Sequence, residues 1–395
     1  MKTPALPDID PAAALKLLMN MLPIAGLSGH EGNIASFIRQ RLRAAGANAS
    51  AITTDNANKR SPLGGEIGNL IFKLPGTFPG PRRLLMAHID TVPLCAGTKP
   101  VRRGKRIVSG NPKTGLGGDN RSGATAILYA ATEILRRKLP HPPLTFMWPV
   151  QEEVGLFGAR FVQLSKLGGP KLCFNWDGNE PHRVTIGATG GYVITIKIKG
   201  LASHAGVHPE QGVSAIAIAG IAIADLFANG WHGLIKKNGI RGTSNFGTIH
   251  GGSAANVVPD ELTIVAGARS HDRTLRKKIV AEIKAAFERA VKKVVSSEGK
   301  RGSLTFEPDL RYDSFKLPEN SPPVAAASRV ISSLGLKPEL HVTNGGLDAN
   351  WMSAHGLPTV TLGAGQMDVH TVNEKLDIAN FTQGCRVALA LACER

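Results

Sequence analysis

Hydrophobic and polar positions in the first 190 residues switch repeatedly between two spacings. Short continuous apolar runs indicate buried strands, and apolar residues three and four positions apart indicate helices. This alternation is typical of parallel strands joined by crossover helices. Ser28 and Glu31 have the spacing of a capping box ahead of the first helix. The predicted strands are 70–74, 83–88, 144–150 and 171–176, and the predicted helices are 34–42 and 124–135.

The pattern changes near residue 190, because residues 192–199 alternate between apolar and polar as a half-exposed antiparallel strand does. An apolar helix is predicted at 213–227, and strands are predicted at 244–249, 262–268 and 303–306. A long amphipathic helix precedes the last of these strands, and its apolar stripe consists of Leu275, Ile279, Ile283, Phe287, Ala290 and Val294. We therefore expect a compact two-layer α+β unit inserted into the surrounding chain.

The α/β pattern returns after residue 312. Ser321 and Pro322 are typical of an N-cap and a first helical position, and they open a predicted helix that ends near residue 334. Strands at 338–343 and 358–362 and a helix at 381–393 follow. The predicted fold is α/β, a mostly parallel sheet with helices on both faces formed by 1–190 and 312–395, with the α+β domain inserted at 191–311. A length of 395 residues suits two such domains.

Composition and charge narrow the function classes. Hydrophobic residues make up 42% of the chain and charged residues 19%, which excludes a disordered or fibrous protein. The formal net charge is +17, but the cations are scattered and only 5% of residues are aromatic. We therefore predict a solvated basic surface and no nucleic-acid partner, with an acidic substrate or polyanion binding as the alternatives.

Cysteine usage and the apolar runs indicate the compartment. The 4 cysteines form no CxxC pair, so reduced, buried thiols and a cytoplasmic setting are expected. The apolar run 212–224 stops at Asp225, and it is shorter than the roughly 20 residues that a membrane span needs. No membrane association is predicted.

Acidic and histidine side chains follow several predicted strands, at the sheet edge where α/β proteins bind ligands. His88 and Asp90 share one face of an extended segment, so Asp90 is placed to orient a ligating imidazole. Taken singly, each motif also fits an ordinary hydrogen-bonded or solvated residue. The set that supplies two imidazoles and three carboxylates consists of His88, Asp119, Glu153, Asp177 and His370.

Such a set suits two divalent ions about 3.5–4 Å apart. It contains no cysteine, so zinc, cobalt or manganese is expected rather than a softer ion. The side chains of Glu152 and Glu153 diverge because they are adjacent in the chain, so one can bind metal while the other faces a substrate. We therefore expect Glu153 to bind metal and the adjacent Glu152 to act as the general base.

Five segments in this order resemble the metal motifs of the co-catalytic di-zinc superfamily of aminopeptidases, carboxypeptidases and aminoacylases. They are 87–91, 117–123, 151–155, 176–178 and 365–371. Gly345–Asn350 and Val369–Thr371 most resemble the peptidase T-like branch. The resemblance covers nearly the full chain, including the insertion.

The resemblance implies roles for particular residues. One ion would be held by His88, Asp119 and Asp177, and the other by Asp119, Glu153 and His370, with Glu152 as general base and Asp90 orienting His88. In the insertion, His204 would stabilise the oxyanion, and Asn256 and Arg269 would contact the substrate. A surface histidine, a turn asparagine and a salt-bridged arginine are the alternative interpretations.

Two positions depart from the family pattern: Asn120, where many relatives carry an acid, and Leu347, where a small hydroxyl residue is common.

The expected function is that of a metal-dependent hydrolase that cleaves amide bonds of small peptides, as peptidase T-like aminopeptidases do. An N-acyl amino acid deacylase or a carboxypeptidase of the same superfamily is the alternative, and a catalytically inactive metal-binding or polyanion-binding protein is the non-enzyme alternative. The resemblance further implies that the inserted domain is a lid and offers a surface for a homodimer.

Overall fold

The computed structural model describes residues 7–394, which divide into two compact units. The first unit comprises 7–187, Lys316–Thr343 and 347–394. The second unit comprises Ala188–Phe315 and Asn344–Gly346. The predicted insertion, 191–311, falls within the second unit, and its role as a lid stays a prediction.

The helices predicted from the apolar spacing of three and four are present, whereas the helix at 11–21 and the short helices at 57–60, 157–160 and 348–354 were not predicted. In chain order they are α1 (Pro11–Met21), α2 (Gly32–Ala44), α3 (Ala57–Arg60), α4 (Gly118–Arg137), α5 (Phe157–Arg160), α6 (Ala215–Ala228), α7 (Arg273–Lys293), α8 (Pro322–Ser333), α9 (Asp348–Ala354) and α10 (Ile378–Cys393).

The strands belong to a large mixed sheet, a small sheet and the sheet of the second unit. In chain order they are β1 (Ile52–Thr54), β2 (Leu70–Leu74), β3 (Arg83–Met86), β4 (Pro100–Arg103), β5 (Arg106–Ser109), β6 (Leu144–Trp148), β7 (Leu172–Trp176), β8 (Arg183–Ala188), β9 (Gly190–Lys199), β10 (Gly233–Lys237), β11 (Ile240–Gly251), β12 (Glu261–Ser270), β13 (Ser303–Tyr312), β14 (Phe315–Lys316), β15 (Glu339–Thr343), β16 (Thr359–Leu362), β17 (Gln366–Met367) and β18 (Lys375–Asp377).

The large sheet has the order β1-β2-β6-β3-β7-β16-β8-β14, and β15 also pairs with β8. Its centre is parallel, since β6, β3, β7 and β16 pair in that sense, as the buried apolar runs predict. Towards the edges, β2 pairs with β6 and β8 with β16 in the antiparallel sense. The α/β class is confirmed, and the parallel centre aligns the carboxyl ends of four strands at one edge.

A small antiparallel sheet of order β17-β18-β5-β4 also belongs to the first unit. Leu376 of β18 pairs with Ile107 of β5, and both residues are fully buried. The loop 368–374 connects β17 to β18, so this sheet holds both ends of a segment that carries His370.

The second unit has an antiparallel sheet of order β10-β11-β12-β9-β13, with α6 and α7 packed against it. The predicted stripe on α7 is its buried face, and Phe287 is fully buried with its ring centroid 6.0 Å from that of Phe246. The strands and helices predicted for this segment are present, although most of the strands are longer than the apolar pattern indicated.

The predicted capping box of α2 is wrong. Glu31 is itself the N-cap residue, and its side chain makes no capping hydrogen bond. Ser28 Oγ instead donates to Asp90 Oδ2 at 2.7 Å, and Glu31 Oε1 accepts hydrogen bonds from the backbone N–H groups of Gly29 and Gln151. Partners supplied by distant parts of the chain therefore replace the local pattern.

The cysteines and the apolar helix α6 match the sequence prediction. All of Cys95, Cys173, Cys385 and Cys393 are free and buried. Within residues 7–394, none of the helices combines the length and the apolar character that crossing a bilayer requires.

Candidate metal centre

His88 lies just beyond the carboxyl end of β3, and it is almost fully buried. Its Nδ1 lies 3.2 Å from the backbone carbonyl oxygen of Asp90 and 3.3 Å from Asp90 Oδ1. Both neighbours are acceptors, so they favour a proton on Nδ1 and leave Nε2 to face the other acids of the site. The predicted orienting position of Asp90 is therefore present in the structure.

Asp119 lies at the start of α4, and each of its carboxylate oxygens faces a different imidazole. Oδ1 lies 3.2 Å from His88 Nε2, and Oδ2 lies 3.3 Å from His370 Nε2. The peptide bond between Asp119 and Asn120 is cis. A carboxylate shared between two imidazoles has the arrangement of a ligand that bridges two cations.

Glu152 and Glu153 follow β6, and their side chains diverge as expected for adjacent residues. Glu153 Oε2 lies 2.9 Å from His370 Nε2, whereas Glu152 Oε2 lies 4.0 Å from His88 Nε2. The backbone N–H groups of the two glutamates donate to Asp90 Oδ1 and Oδ2 at 3.0 and 3.1 Å. Asp90 thus fixes both the imidazole of His88 and the turn that carries the glutamate pair.

Asp177 follows β7 and completes the cluster. Its Oδ1 lies 3.8 Å from His88 Nε2. Donor atoms of His88, Glu152 and Asp177 lie within 4.8 Å of one another, and so do those of His88, Asp119 and Glu153. The structure brings together every predicted metal ligand and the predicted general base.

The pKa directions of these groups follow from burial and crowding. Burial raises the pKa of Glu152 well above 4.5, and the charges of Asp177 and Asp348 raise it further. Burial also raises the pKa of Glu153 and Asp177. Contacts with Asp119 and Glu153 raise the pKa of His370 from 6.5 to about 10. These acids can ionise together only when added positive charge compensates them.

This donor set fits two divalent cations. Imidazole nitrogens and carboxylate oxygens are the ligands that zinc, cobalt and manganese accept. Glu153 Oε1 is buried and has no hydrogen-bond partner among residues 7–394, so this oxygen has its lone pairs free for a cation. Cations would also relieve the repulsion that raises the pKa of the neighbouring carboxyl groups.

Two further side chains, which the sequence interpretation missed, contact the same cluster. Gln366 Nε2 donates to Asp119 Oδ1 and Asp177 Oδ1, both at 3.2 Å, and its Oε1 accepts from Ser122 Oγ at 3.0 Å. Glu374 is buried and accepts hydrogen bonds from the backbone of the Asp119 loop. Gln366 lies within the quoted motif 365–371, but an amide is not among the usual ligands of these metals, so it was not singled out.

A protein-family model described as peptidase family M20/M25/M40 matches residues 84–394. The chain belongs to this family. The resemblance found in the sequence is confirmed, and the protein is an enzyme of the M20 metallopeptidases.

Individual relatives cover nearly the whole length of this M20-family chain. A tripeptidase structure from Staphylococcus aureus subsp. aureus mu50 has a TM-score of 0.86 and 29% identity, and it covers 98% of each chain. A structure of aminopeptidase PepT from Bacillus cereus ATCC 10987 has a TM-score of 0.80 and 30% identity, over 97% of this chain and 98% of that one. The uncharacterized protein YqjE of Bacillus subtilis (strain 168) is 30% identical over 378 residues, 95% of this chain and 96% of the relative.

The remaining predicted residues of this M20-family protein lie in the second unit. His204, Asn256 and Arg269 have exposed side chains. The backbone N–H of Ala205 donates to the carbonyl of Asn256 at 2.9 Å, so His204 and Asn256 lie on neighbouring segments. Arg269 lies in β12. Their roles in catalysis and substrate binding stay predictions.

The two departures from the family pattern both have a local role. Asn120 is fully buried, its Nδ2 donates to the carbonyl of Trp176 at 2.5 Å, and its Oδ1 accepts from Gly123. An ionised acid at this position lacks the donor that the Trp176 carbonyl needs. Leu347 is the N-cap residue of α9, and its backbone N–H donates to Asn350 Oδ1 at 2.9 Å.

Proposed function

We propose that this M20-family enzyme is an aminopeptidase that removes residues from short peptides, tripeptides among them. Its resemblance to the tripeptidase and PepT structures over almost the full chain supports this assignment. The donor set of imidazoles and carboxylates in this chain supports two divalent ions as cofactors, with zinc favoured and cobalt or manganese as alternatives.

The proposed ligands of the two ions share Asp119. His88, Asp119 and Asp177 would hold one ion, and Asp119, Glu153 and His370 would hold the other. When bound, the ions would supply polarisation of the scissile carbonyl group and a lowered pKa for the attacking water. Asp90 holds Nδ1 of His88, so that Nε2 faces this site.

Glu152 is the proposed general base. Its carboxylate would accept a proton from the attacking water and deliver that proton to the leaving amine nitrogen as the C–N bond breaks. One observation carries this assignment: Glu152 and Glu153 share the backbone anchor Asp90, yet only Glu153 contacts His370. Glu152 is therefore fixed at the cluster with its carboxylate available to a substrate and its water.

Replacing Glu152 with Gln tests the assignment, because the amide keeps the shape of the side chain and removes the base. We expect hydrolysis of trialanine to fall by a factor of about 10² to 10⁴, which is the usual contribution of a general base. Metal content, measured by mass spectrometry of the purified protein, should stay at two ions per chain. The control is Glu319→Gln, at an exposed glutamate. Loss of metal from Glu152→Gln, or unchanged turnover, would contradict the proposal.

Blocked substrates separate the aminopeptidase from the alternatives. An aminopeptidase loses activity when the amino terminus of trialanine is acetylated, and it tolerates a carboxy-terminal amide. A carboxypeptidase shows the opposite preference, and a deacylase releases acetate from N-acetylalanine.

The second unit is proposed as the lid and as the surface of a homodimer, with His204 as the oxyanion donor and Asn256 and Arg269 as substrate contacts. A cytoplasmic location is part of the same proposal.

A further inference from the structure

Glu374 is a buried carboxylate that joins two loops of the candidate metal centre. It lies four residues after His370 and is only 2% exposed. Its Oε2 accepts hydrogen bonds from the backbone N–H groups of Leu116 and Gly117, both at 2.8 Å, and its Oε1 accepts one from the backbone N–H of Asp119 at 3.0 Å. One side chain therefore binds the segment that delivers Asp119.

The glycines of this segment make room for the carboxylate. A Cβ at Gly115 would lie 3.0 Å from Glu374 Oε2 and 3.1 Å from the carbonyl oxygen of Thr371, and a Cβ at Gly118 would lie 3.3 Å from Glu374 Oε1. The backbone of 115–119 thus packs so closely against the Glu374 carboxylate that a side chain at Gly115 or Gly118 would crowd it. Asp119 lies in the first turn of α4, where backbone N–H groups lack intrahelical partners, so its N–H needs an acceptor from outside the helix.

The loop that carries Glu374 is itself held in place. The backbone N–H of Glu374 donates to the carbonyl of Thr371 at 3.2 Å, and Thr371 Oγ1 donates to the carbonyl of Asp368 at 2.7 Å. Between these bonds lies His370, whose φ of +62° is in the left-handed region that non-glycine residues seldom adopt. Residues that hold this backbone conformation also fix the direction of the imidazole.

Glu374 therefore connects two segments, and each segment carries a proposed metal ligand. Asp119 faces both imidazoles, and His370 faces Asp119 and Glu153. The two oxygens of Glu374 are directed at backbone N–H groups, and the Sγ of Cys95 lies 3.5 Å from Oε2, so Glu374 is not itself placed as a ligand.

We propose that Glu374 is a positioning residue that sets the distance between Asp119 and His370, so that the affinity for both metal ions depends on it. The inference rests on the proposed metal centre and adds a residue to it. A side chain that only capped α4 would contribute to folding stability, and its replacement would leave the metal affinity of the folded protein unchanged.

Glu374→Gln is the decisive variant, because it keeps the size of the side chain but replaces one accepting oxygen with an amide –NH₂ group, which is a donor and faces a backbone donor. Glu66→Gln is the matched control, since Glu66 Oε2 also accepts a backbone N–H, from Gly32 at 3.0 Å, but lies on the surface. Metal-free protein is titrated with Co²⁺ alone, with absorption spectra as the readout, and folding is checked by circular dichroism. Turnover of trialanine is then measured at saturating Co²⁺.

We expect Glu374→Gln to weaken the binding of both ions by about 10- to 100-fold, the usual effect of losing a residue that orients metal ligands. At saturating Co²⁺, kcat should fall while KM stays within about twofold, because the site refills with altered geometry. Glu66→Gln should match the wild type. Wild-type affinity for both ions in a folded Glu374→Gln variant, or weakening of one ion alone, overturns the inference.

A second variant keeps the test decisive if Glu374→Gln does not fold. Glu374→Asp retains the charge and both oxygens but is shorter by one methylene, and it should show a smaller loss of affinity for both ions. Wild-type affinity in Glu374→Asp would then overturn the inference. Failure of the proposed metal centre gives a different result, since the wild-type protein itself would take up fewer than two ions.

Discussion

Glu31 supports a quantitative prediction about stability and pH. Its side chain is fully buried, Oε1 accepts backbone hydrogen bonds from Gly29 at 2.8 Å and Gln151 at 3.0 Å, and Oε2 has no hydrogen-bond partner in the part of the chain that the structure describes. Burial, with a contribution from the charge of Asp90, raises the pKa of Glu31 from 4.5 to about 7. In the replacement Glu31→Gln, the amide oxygen can take the position of Oε1 and accept both of these hydrogen bonds.

The raised pKa determines the sign of the effect. Between pH 4.5 and pH 7 the folded protein holds a proton at Glu31 that the unfolded chain has released, so folding stability falls as the pH rises through this range. The full penalty is about 3 kcal/mol, and most of it develops between pH 5 and pH 8. The glutamine variant has no such penalty. Its stability relative to the wild type should therefore increase by about 2 to 3 kcal/mol between pH 5 and pH 8.

Urea unfolding of the metal-free protein at both pH values measures this difference. A Trp231→Phe background removes the tryptophan of the second unit, so the fluorescence reports only on the first unit. Comparing variant and wild type at each pH cancels the other titrating groups and any fixed cost of the amide. Glu319→Gln, at an exposed glutamate, should show no pH-dependent difference. An equal stability difference between Glu31→Gln and the wild type at pH 5 and pH 8 would refute the reasoning.

Two further predictions concern the metal centre and the second unit. Asp119→Asn should lose both metal ions together, because each carboxylate oxygen faces a different imidazole, and loss of one ion only, measured by mass spectrometry, would argue against a bridging role. His204→Ala should lower kcat for trialanine by about 10² to 10³ with metal content unchanged, which is the usual effect of removing one oxyanion donor, and unchanged turnover would remove His204 from the mechanism.

Strong periodicity made much of the fold predictable. The stripe from Leu275 to Ala290 leaves no arrangement for α7 other than one buried face, and the runs at 84–86 and 144–148 are fully buried strands. Because those strands are parallel, their carboxyl ends lie at one edge of the sheet, and the sequence alone therefore predicts that His88, Glu152 and Asp177 lie at that edge. The site was predictable for the same reason as the sheet.

Elements without such a pattern were not predictable. The β4–β5 hairpin is basic and mostly exposed or half-buried apart from Ile107, and the apolar residues of β8 are separated by Thr185 and Gly187, so neither has a continuous apolar run. Gln366 lies in the two-residue strand β17 and Glu374 ends the loop that follows it, and the sequence of this segment resembles a solvated one. The partners of their side chains lie 189 to 279 residues away along the chain, and for Glu374 three of them are backbone N–H groups, which have no sequence signature.

Asp90 and Glu374 perform the same physical task at two loops of the centre. Asp90 accepts the backbone N–H groups of Glu152 and Glu153, and Glu374 accepts those of Leu116, Gly117 and Asp119. A buried carboxylate that is saturated by backbone donors has few lone pairs left for a cation, so it can hold a ligand-bearing turn without competing for the metal. Asp90 was found from sequence because it also orients an imidazole two residues away. Glu374 orients no imidazole and contacts backbone N–H groups and the Cys95 thiol, so its role can be recognised only when the fold brings the two loops together.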